Sequence, residues 1–281
     1  MKFKIKNKSK THKNKSNKKR KYRKFISTKS KKVRKENKKE KEKEKLSEKR
    51  ITDDNNNTIE IRVKISEENI NKKIYLLCKN KITAFYKGRN DYIQNHLNKK
   101  EIKIYLNEKE NNFTYNNYSI YTEKGDFNIK IKFSIIIEQG YGLFSGCENI
   151  IHIDFSNFKT NLMTNFSYMF FNCYNLQTIN FANFDTSKIT NMKYMFFGCQ
   201  NLKEIKFNCF DTSNVTDAIG LFGNCKSLVN LDITGFDFKN LKKMDYMFQG
   251  CDNLENIIVS EKLFNQIGEL LKNYNITIIY S

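Results

Sequence analysis

Five cysteines, Cys147, Cys173, Cys199, Cys225 and Cys251, follow one another at intervals of 26 residues without an insertion. Thiols can ligate a metal, pair as disulfides or attack an electrophile, so this spacing is the first chemical question the chain poses. A structural metal site needs convergent ligands at short spacing or a histidine partner, and an interval of 26 supplies neither. Disulfide frameworks belong mainly to short secreted chains. The seven cysteines are an odd number, with Cys78 and Cys209 off the repeat. Strands of successive units lying side by side, about 4.8 Å apart, would set the five thiols in a column. Free cysteine is among the most buried residue types, so the column reads as a file of small apolar groups at a tight turn.

Catalytic constellations are absent from the sequence. Its three histidines are His12, His96 and His152, and none joins a Ser-His-Asp or Cys-His arrangement. There is no glycine-rich phosphate loop and no H-E-x-x-H. Asp185 and Asp211 recur beside threonine, as turn and capping residues do. The chain therefore reads as non-enzymatic, with no cofactor and no metal.

The elements that must position the cysteines repeat with them. "YMFFNCYNL" (168–176), "YMFFGCQNL" (194–202) and "YMFQGCDNL" (246–254) are three copies of one phrase. A fixed period of 20–50 residues marks a stacked-repeat architecture. Three, six and eight residues after the cysteines stand Ile150, Ile153 and Phe155; Leu176, Ile179 and Phe181; Leu202, Ile205 and Phe207; Leu228, Leu231 and Ile233; Leu254, Ile257 and Val259. L-x-x-I-x-F is the pattern of a leucine-rich-repeat strand. Ile189, Met192, Met195 and Phe196, with their counterparts Val215, Ala218, Leu221 and Phe222, are spaced three, three and one, which predicts one face of a short helix. The expected fold is α/β: a right-handed solenoid of about five repeats over residues 137–259. Residues 260–281 form a C-terminal cap, with Ser260 as helix N-cap and 275–280 as a last strand.

"NFDTSKITNMKYMFFGCQNLKEI" (183–205) resembles the 26-residue leucine-rich repeat of BspA-like bacterial surface proteins, also abundant in protists. The resemblance covers roughly residues 137–259 and rests on the M-F-x-x-C-x-x-L core. It implies a ligand-binding or adhesive solenoid with no associated catalytic activity. Unlike the bacterial surface members, this chain has no apolar signal segment and carries a basic tail.

Five and seven residues after each cysteine, side chains should point away from the core. These positions are His152 and Asp154, Thr178 and Asn180, Glu204 and Lys206, Asn230 and Asp232, and Asn256, which shares its strand with Ile258. They vary where the buried positions repeat. They are either a solvated sheet face or the partner-binding surface that such stacks present.

Two segments precede the repeats. Residues 58–136 alternate apolar and polar side chains at 59–65, 102–106 and 127–135, the signature of half-buried strands. With a further strand candidate at 72–78 and a helical face formed by Phe85, Tyr92, Ile93 and Leu97, they suit a small α+β module of β-grasp-like kind. Residues 1–57 form a basic tail and linker too polar to fold alone. Of the chain's formal net charge of +21, residues 1–50 carry 25 Lys/Arg against 5 Glu, a net of +20. The body is thus near neutral. Lys18, Lys19, Arg20, Lys21, Arg23 and Lys24, then Lys31, Lys32, Arg34 and Lys35, form clusters of nuclear-import or polyanion-binding type. The frequent Lys, Asn and Ile are in part what AT-rich codons would give.

With no h-region after Met1 and no run of 18 apolar residues, the expected setting is intracellular, cytoplasmic or nuclear, with no membrane span. The expected function is a non-enzymatic scaffold that binds a protein partner, of unknown identity, through the strand face. The alternative is a nuclear or nucleic-acid-associated protein acting through weak polyanion binding by residues 1–50.

Overall fold

In TIEIRVKI, strand β1 (Thr58–Ile65), the four apolar residues are buried while Glu60, Arg62 and Lys64 face outward. Period two thus gives a strand with one core face. The computed structural model describes residues 57–77, 102–106, 109–110, 118–207 and 210–281. The expected helical face at 85–97, Cys78, Cys209 and the basic clusters at 18–35 lie outside the described residues. The architecture is mixed α/β, mostly sheet. It has one α-helix among the described residues and no closed barrel.

After β1 come β2 (Lys73–Tyr75), β3 (Ile102–Leu106), β4 (Lys109–Glu110), β5 (Tyr118–Ile120) and β6 (Gly125–Phe133). The repeats contribute β7 (Ile150–Asp154), β8 (Thr178–Asn180), β9 (Asn230–Asp232) and β10 (Asn256–Val259). Helix α1 (Glu261–Leu271) and β11 (Thr277–Tyr280) close the chain. The strands form a six-stranded sheet of order β4-β3-β6-β1-β7-β8, a three-stranded sheet β11-β10-β9 and the pair β2-β5. β1 pairs antiparallel with both β6 and β7, so one sheet runs from residues 58–133 into the repeats. Asn57, placed in the linker by sequence reading, is fully buried at this junction. Its side chain donates to the Ile135 carbonyl at 2.7 Å and accepts the Lys159 amide at 3.0 Å.

Successive 26-residue units are hydrogen-bonded to one another in parallel register. β7 pairs with β8 and β9 with β10, and parallel bridges link Asn165, Asn191, Asp217 and Lys243. Each apolar offset from the cysteines is buried, and their rings stack unit on unit. Phe144, Phe170, Phe196, Phe222 and Phe248 form a file with centroid spacings of 5.9, 5.4, 5.7 and 5.8 Å.

The second half of each unit is not helical, contrary to the prediction from its i, i+3 spacing. Amides there alternate between two partners. Those of Phe166, Tyr168, Phe170 and Asn172 donate to Asn191, Lys193, Met195 and Phe197 in the next unit, at 2.8–2.9 Å. Those of Met169, Phe171 and Cys173 close three-residue turns onto Phe166, Tyr168 and Phe170. An α-helix would spend every amide within its own segment. Here the turns produce the i, i+3 spacing, and the freed amides stitch the units. The expected inward residues, Met192, Met195 and Phe196 among them, are still buried. The strand half is also interrupted: residues 201–206 form no strand, and the two sheets end on either side of them.

This path needs a left-handed backbone at two positions per unit. The residue before each cysteine, Gly146, Asn172, Gly198, Asn224 and Gly250, has φ of 71°, 57°, 77°, 56° and 72°. Glycine and asparagine are the residues that visit this region most readily, and here they alternate. A Cβ on Gly198 would lie 2.4 Å from Asn172 Oδ1, and one on Gly250 would lie 2.1 Å from Asn224 Oδ1. Each asparagine side chain fills the space that the next glycine leaves open.

The cap matches the sequence reading. Ser260 Oγ accepts the Leu263 amide, and the apolar face of α1 buries Leu263, Ile267 and Leu271. Lys262 Nζ lies 2.9 Å from Asp237 Oδ2, and Gln266 Nε2 donates to Asp237 Oδ1 at 3.0 Å. The hydrogen bonds from Lys262, then Gln266, hold the Asp237 carboxyl down to about 2.

Two stability measurements follow. Gly198→Ala combines a left-handed alanine with displacement of the Asn172 carboxamide, and should lower unfolding stability by about 1–3 kcal/mol. Gly235→Ala, where an added Cβ meets nothing within 4 Å, should stay within about 0.5 kcal/mol. Equal denaturation midpoints would contradict the column. Asp237 has a depressed folded-state pKa, so its contribution is present above about pH 4 and lost as pH falls towards about 2. Thermal midpoints of Asp237→Asn should therefore show a shallower acid decline than those of the parent. Parallel acid limbs would disprove the role.

Candidate interaction face

The outward residues of β7 and β8 stand side by side, because parallel register places His152 beside Thr178 and Asp154 beside Asn180. His152 Nδ1 and Thr178 Oγ1 are 2.7 Å apart and share a hydrogen bond. In the second sheet Asn256 faces Asn230 and donates to its Oδ1 at 2.7 Å. Asp232 neighbours Ile258 there. Glu204 and Lys206 lie on the interrupted segment, both exposed, and pair with each other at 3.4 Å. Exposed pairs of this kind contribute little to stability. Seven of the nine expected face residues thus fall into two ladders, 152–180 and 230–256, while Glu204 and Lys206, between them in sequence, belong to neither.

The position seven residues after the cysteine has a structural duty that the sequence did not reveal. Asp154, Asn180 and Asp232 each accept the amide two residues on, from Ser156 at 2.7 Å, Ala182 at 3.0 Å and Thr234 at 3.0 Å. These are turns closed by a side chain, of the kind Asp and Asn favour. Asp185 and Asp211 do the same with Ser187 and Ser213, both at 2.9 Å. Hydrogen bonds from those serines, side chain then backbone, hold both carboxyls below their usual range.

Antiparallel pairing extends the face beyond the predicted residues. Arg62 of β1 lies opposite His152 and Glu60 opposite Asp154. β6 then adds Lys130, whose Nζ is 2.9 Å from Glu60 Oε1, and Asn128, which accepts from Arg62 Nε at 3.4 Å. The outward half of the alternation in 58–65 and 127–135 marked these side chains as polar. Nothing in that alternation names β7 as the partner of β1.

Electrostatics distinguish His152 from its neighbours. Burial, then the positive charge of Arg62, lowers its pKa against the opposing pull of Asp154. Burial raises that of Asp154, but hydrogen bonds from Ser156 and Asn180 and the proximity of His152 outweigh it and leave a net depression. At neutral pH the face therefore offers a guanidinium, a neutral imidazole and a carboxylate in adjacent rows. That arrangement can recognise charge and hydrogen-bonding groups.

The cysteine column is buried in its first four members and half-buried at Cys251. The thiols of Cys173, Cys199, Cys225 and Cys251 donate to the carbonyls of Phe144, Phe170, Phe196 and Phe222, at 3.0–3.2 Å. Burial pushes Cys199 and Cys225 well above the usual thiol value and Cys251 up to about 11. A thiol is nucleophilic as its thiolate, so the column is packing. No group of three or more metal-ligating side chains is assembled among the described residues. Nor is any helix among them long and apolar enough to cross a membrane.

Residues 139–261 are thus 26-residue units bonded to one another in parallel register, with polar rows on two separate sheets. That same stretch matches a family described as a Mycoplasma protein of unknown function, DUF285. No curated protein and no solved structure matches the chain.

Since folding depresses the His152 pKa, the folded state resists its protonation. Stability should be unaffected above the usual imidazole value and should fall as pH drops below about 6.5. NMR titration should place the His152 midpoint below that value, and His152→Gln should remove its part of the pH slope. A midpoint at or above the usual value would show that burial and Arg62 do not outweigh Asp154 at this site.

Proposed function

We propose that the chain is a non-enzymatic interaction protein. Its repeats form a right-handed leucine-rich-repeat solenoid of the BspA-like kind, and it binds a protein partner through the sheet face. The observation that carries this reading is the continuity of the polar rows. Glu60 and Arg62, from outside the repeats, stand directly opposite Asp154 and His152 inside them. A partner laid across the strands meets side chains from both segments on one rigid sheet, a low-entropy-cost arrangement for recognition.

The basic segment supports a second activity. Lysine and arginine at a net of +20 in 50 residues would bind polyanions by counterion release, without sequence readout. An intracellular setting, cytoplasmic or nuclear, accords with both activities.

The two activities separate by salt and by substitution. The 281-residue chain should bind single-stranded RNA or heparin weakly, with affinity falling steeply as salt rises. Replacing Lys18, Lys19, Arg20, Lys21, Arg23 and Lys24 by Gln should weaken that binding at least tenfold, by loss of phosphate contacts. Capture of protein partners should survive this change and drop with Arg62→Ala plus Asp154→Asn. Polyanion binding that persists at full strength in the Gln variant would remove the tail from the account. Partner capture insensitive to the sheet-face variant would remove the face.

A further inference from the structure

Along the outer face, the position seven residues after each cysteine is Asp154, Asn180, Lys206, Asp232 and finally Ile258. β11 then sets Ile279 in register with Ile258. Ile279 is 42% exposed and Tyr280 57%. In this row the polar side chains give way to isoleucine only over the last two strands of the second sheet. β11 is the outermost strand of its sheet among the described residues. Open edges are usually protected by lysine, proline, a bulge or brevity. Thr277-Ile278-Ile279-Tyr280 is short, but it has no charge and no proline. The amides of Thr277 and Ser281 donate to the carbonyls of Glu255, just before β10, and Val259, at its end, at 2.8 and 3.2 Å. Strand alternation therefore turns the N–H and C=O of Ile278 and Tyr280 outward, away from β10.

We propose that this edge is a dimerisation surface whose occupant is β11 of a second copy, paired antiparallel about a two-fold axis at Ile279. An axis perpendicular to the sheet keeps the outer faces of both copies on the same side. It sets Ile279 against its own counterpart as a non-hydrogen-bonded pair, flanked by Ile258 of each copy. Ile278 of one copy then lies opposite Tyr280 of the other, and these are the residues whose backbone groups point outward. They exchange hydrogen bonds on both sides of the axis, the alternation an antiparallel ladder requires. The central pairs so formed, Ile279 with Ile279 and Ile278 with Tyr280 on either side, are apolar, and such pairs stabilise sheets; the outermost, Thr277 with Ser281, is polar. A C2 contact needs this kind of self-complementarity. No charged side chain lies on the strand, and each copy carries a formal net charge of +21, so the two copies repel. Dimerisation should therefore strengthen as salt rises, the reverse of polyanion binding. Four residues per copy bury less than the roughly 1,200 Å² of a standard interface, so the association is weak and concentration-dependent.

Sedimentation equilibrium of the full chain tests this. The mass should rise from monomer towards dimer with concentration, and at a lower concentration in higher salt. Ile279→Lys and Ile279→Glu should each remain monomeric, because each sets like charges face to face. A one-to-one mixture of the two should recover the dimer. Thermal midpoints near the parent's, expected for so exposed a side chain, would show that both variants fold. A constant monomer mass up to about 1 mM would overturn the proposal. So would a dimer that both variants retain, or a mixture that stays monomeric.

Discussion

The backbone amide that leaves its own segment and binds the next unit is the interaction on which the rest of the structure depends. In the second half of every unit but the last, every other amide does this, while the intervening amides close turns. A buried N–H without a partner is costly, so this accounting admits little variation. It fixes the 26-residue period, because a unit one residue longer or shorter would set turn amides against ladder carbonyls. It also explains why the phrase around each cysteine recurs almost unchanged.

Side-chain choice follows from that path. The residue five before each cysteine also has positive φ throughout. Tyr168, Tyr194 and Tyr246 stand there at 60°, 53° and 61°, alternating irregularly with Gly142 and Gly220. A bulky residue in that region is strained. Ring contacts offset the strain at Tyr168 and Tyr194, whose centroids are 5.2 Å apart. The Tyr194 ring also covers Gly220, where a Cβ would approach within 2.3 Å. Asparagine contributes outside the core as well. Asn175, Asn214, Asn240 and Asn253 each donate to a carbonyl 27 residues earlier, at 2.7–2.8 Å. Their abundance, which codon usage alone could produce, has a structural use at these positions.

Much of this was legible in the sequence because it depends on burial. The cysteine interval, the apolar offsets of three, six and eight, the strands expected at 59–65 and 127–135 and observed at 58–65 and 125–133, and the Ser260 cap all place a side chain inside or outside, and hydropathy reports that directly. The non-helical second half was not legible. Turns of three residues and an α-helix bury the same i, i+3 positions, and only the destination of the amides separates them. The left-handed columns gave a readable clue, since Gly and Asn alternate before Cys147, Cys173, Cys199, Cys225 and Cys251. The pairing of Arg62 with His152 could not be read, because alternation shows which side chains face out and not which strand lies alongside. Asp154, Asn180 and Asp232 combined two roles in one residue type: the polar pattern was visible, and the turn each one closes was not.

Cysteine cross-linking tests the registered stacking most directly. Thr190 and Thr216 occupy equivalent positions, and the Thr216 amide donates to the Thr190 carbonyl at 2.8 Å. With Cys78 and Cys209 replaced by serine, a Thr190→Cys, Thr216→Cys chain should form an intramolecular disulfide on mild oxidation, because neighbours in register fall within the Cα separation of about 4.4–6.8 Å that the bond requires. Thr190→Cys with Asn214→Cys, offset by two residues, should remain reduced under the same conditions. Equal cross-linking of both pairs, or of the offset pair alone, would contradict the register from which the cysteine column, the glycine–asparagine alternation and the sheet face are all derived.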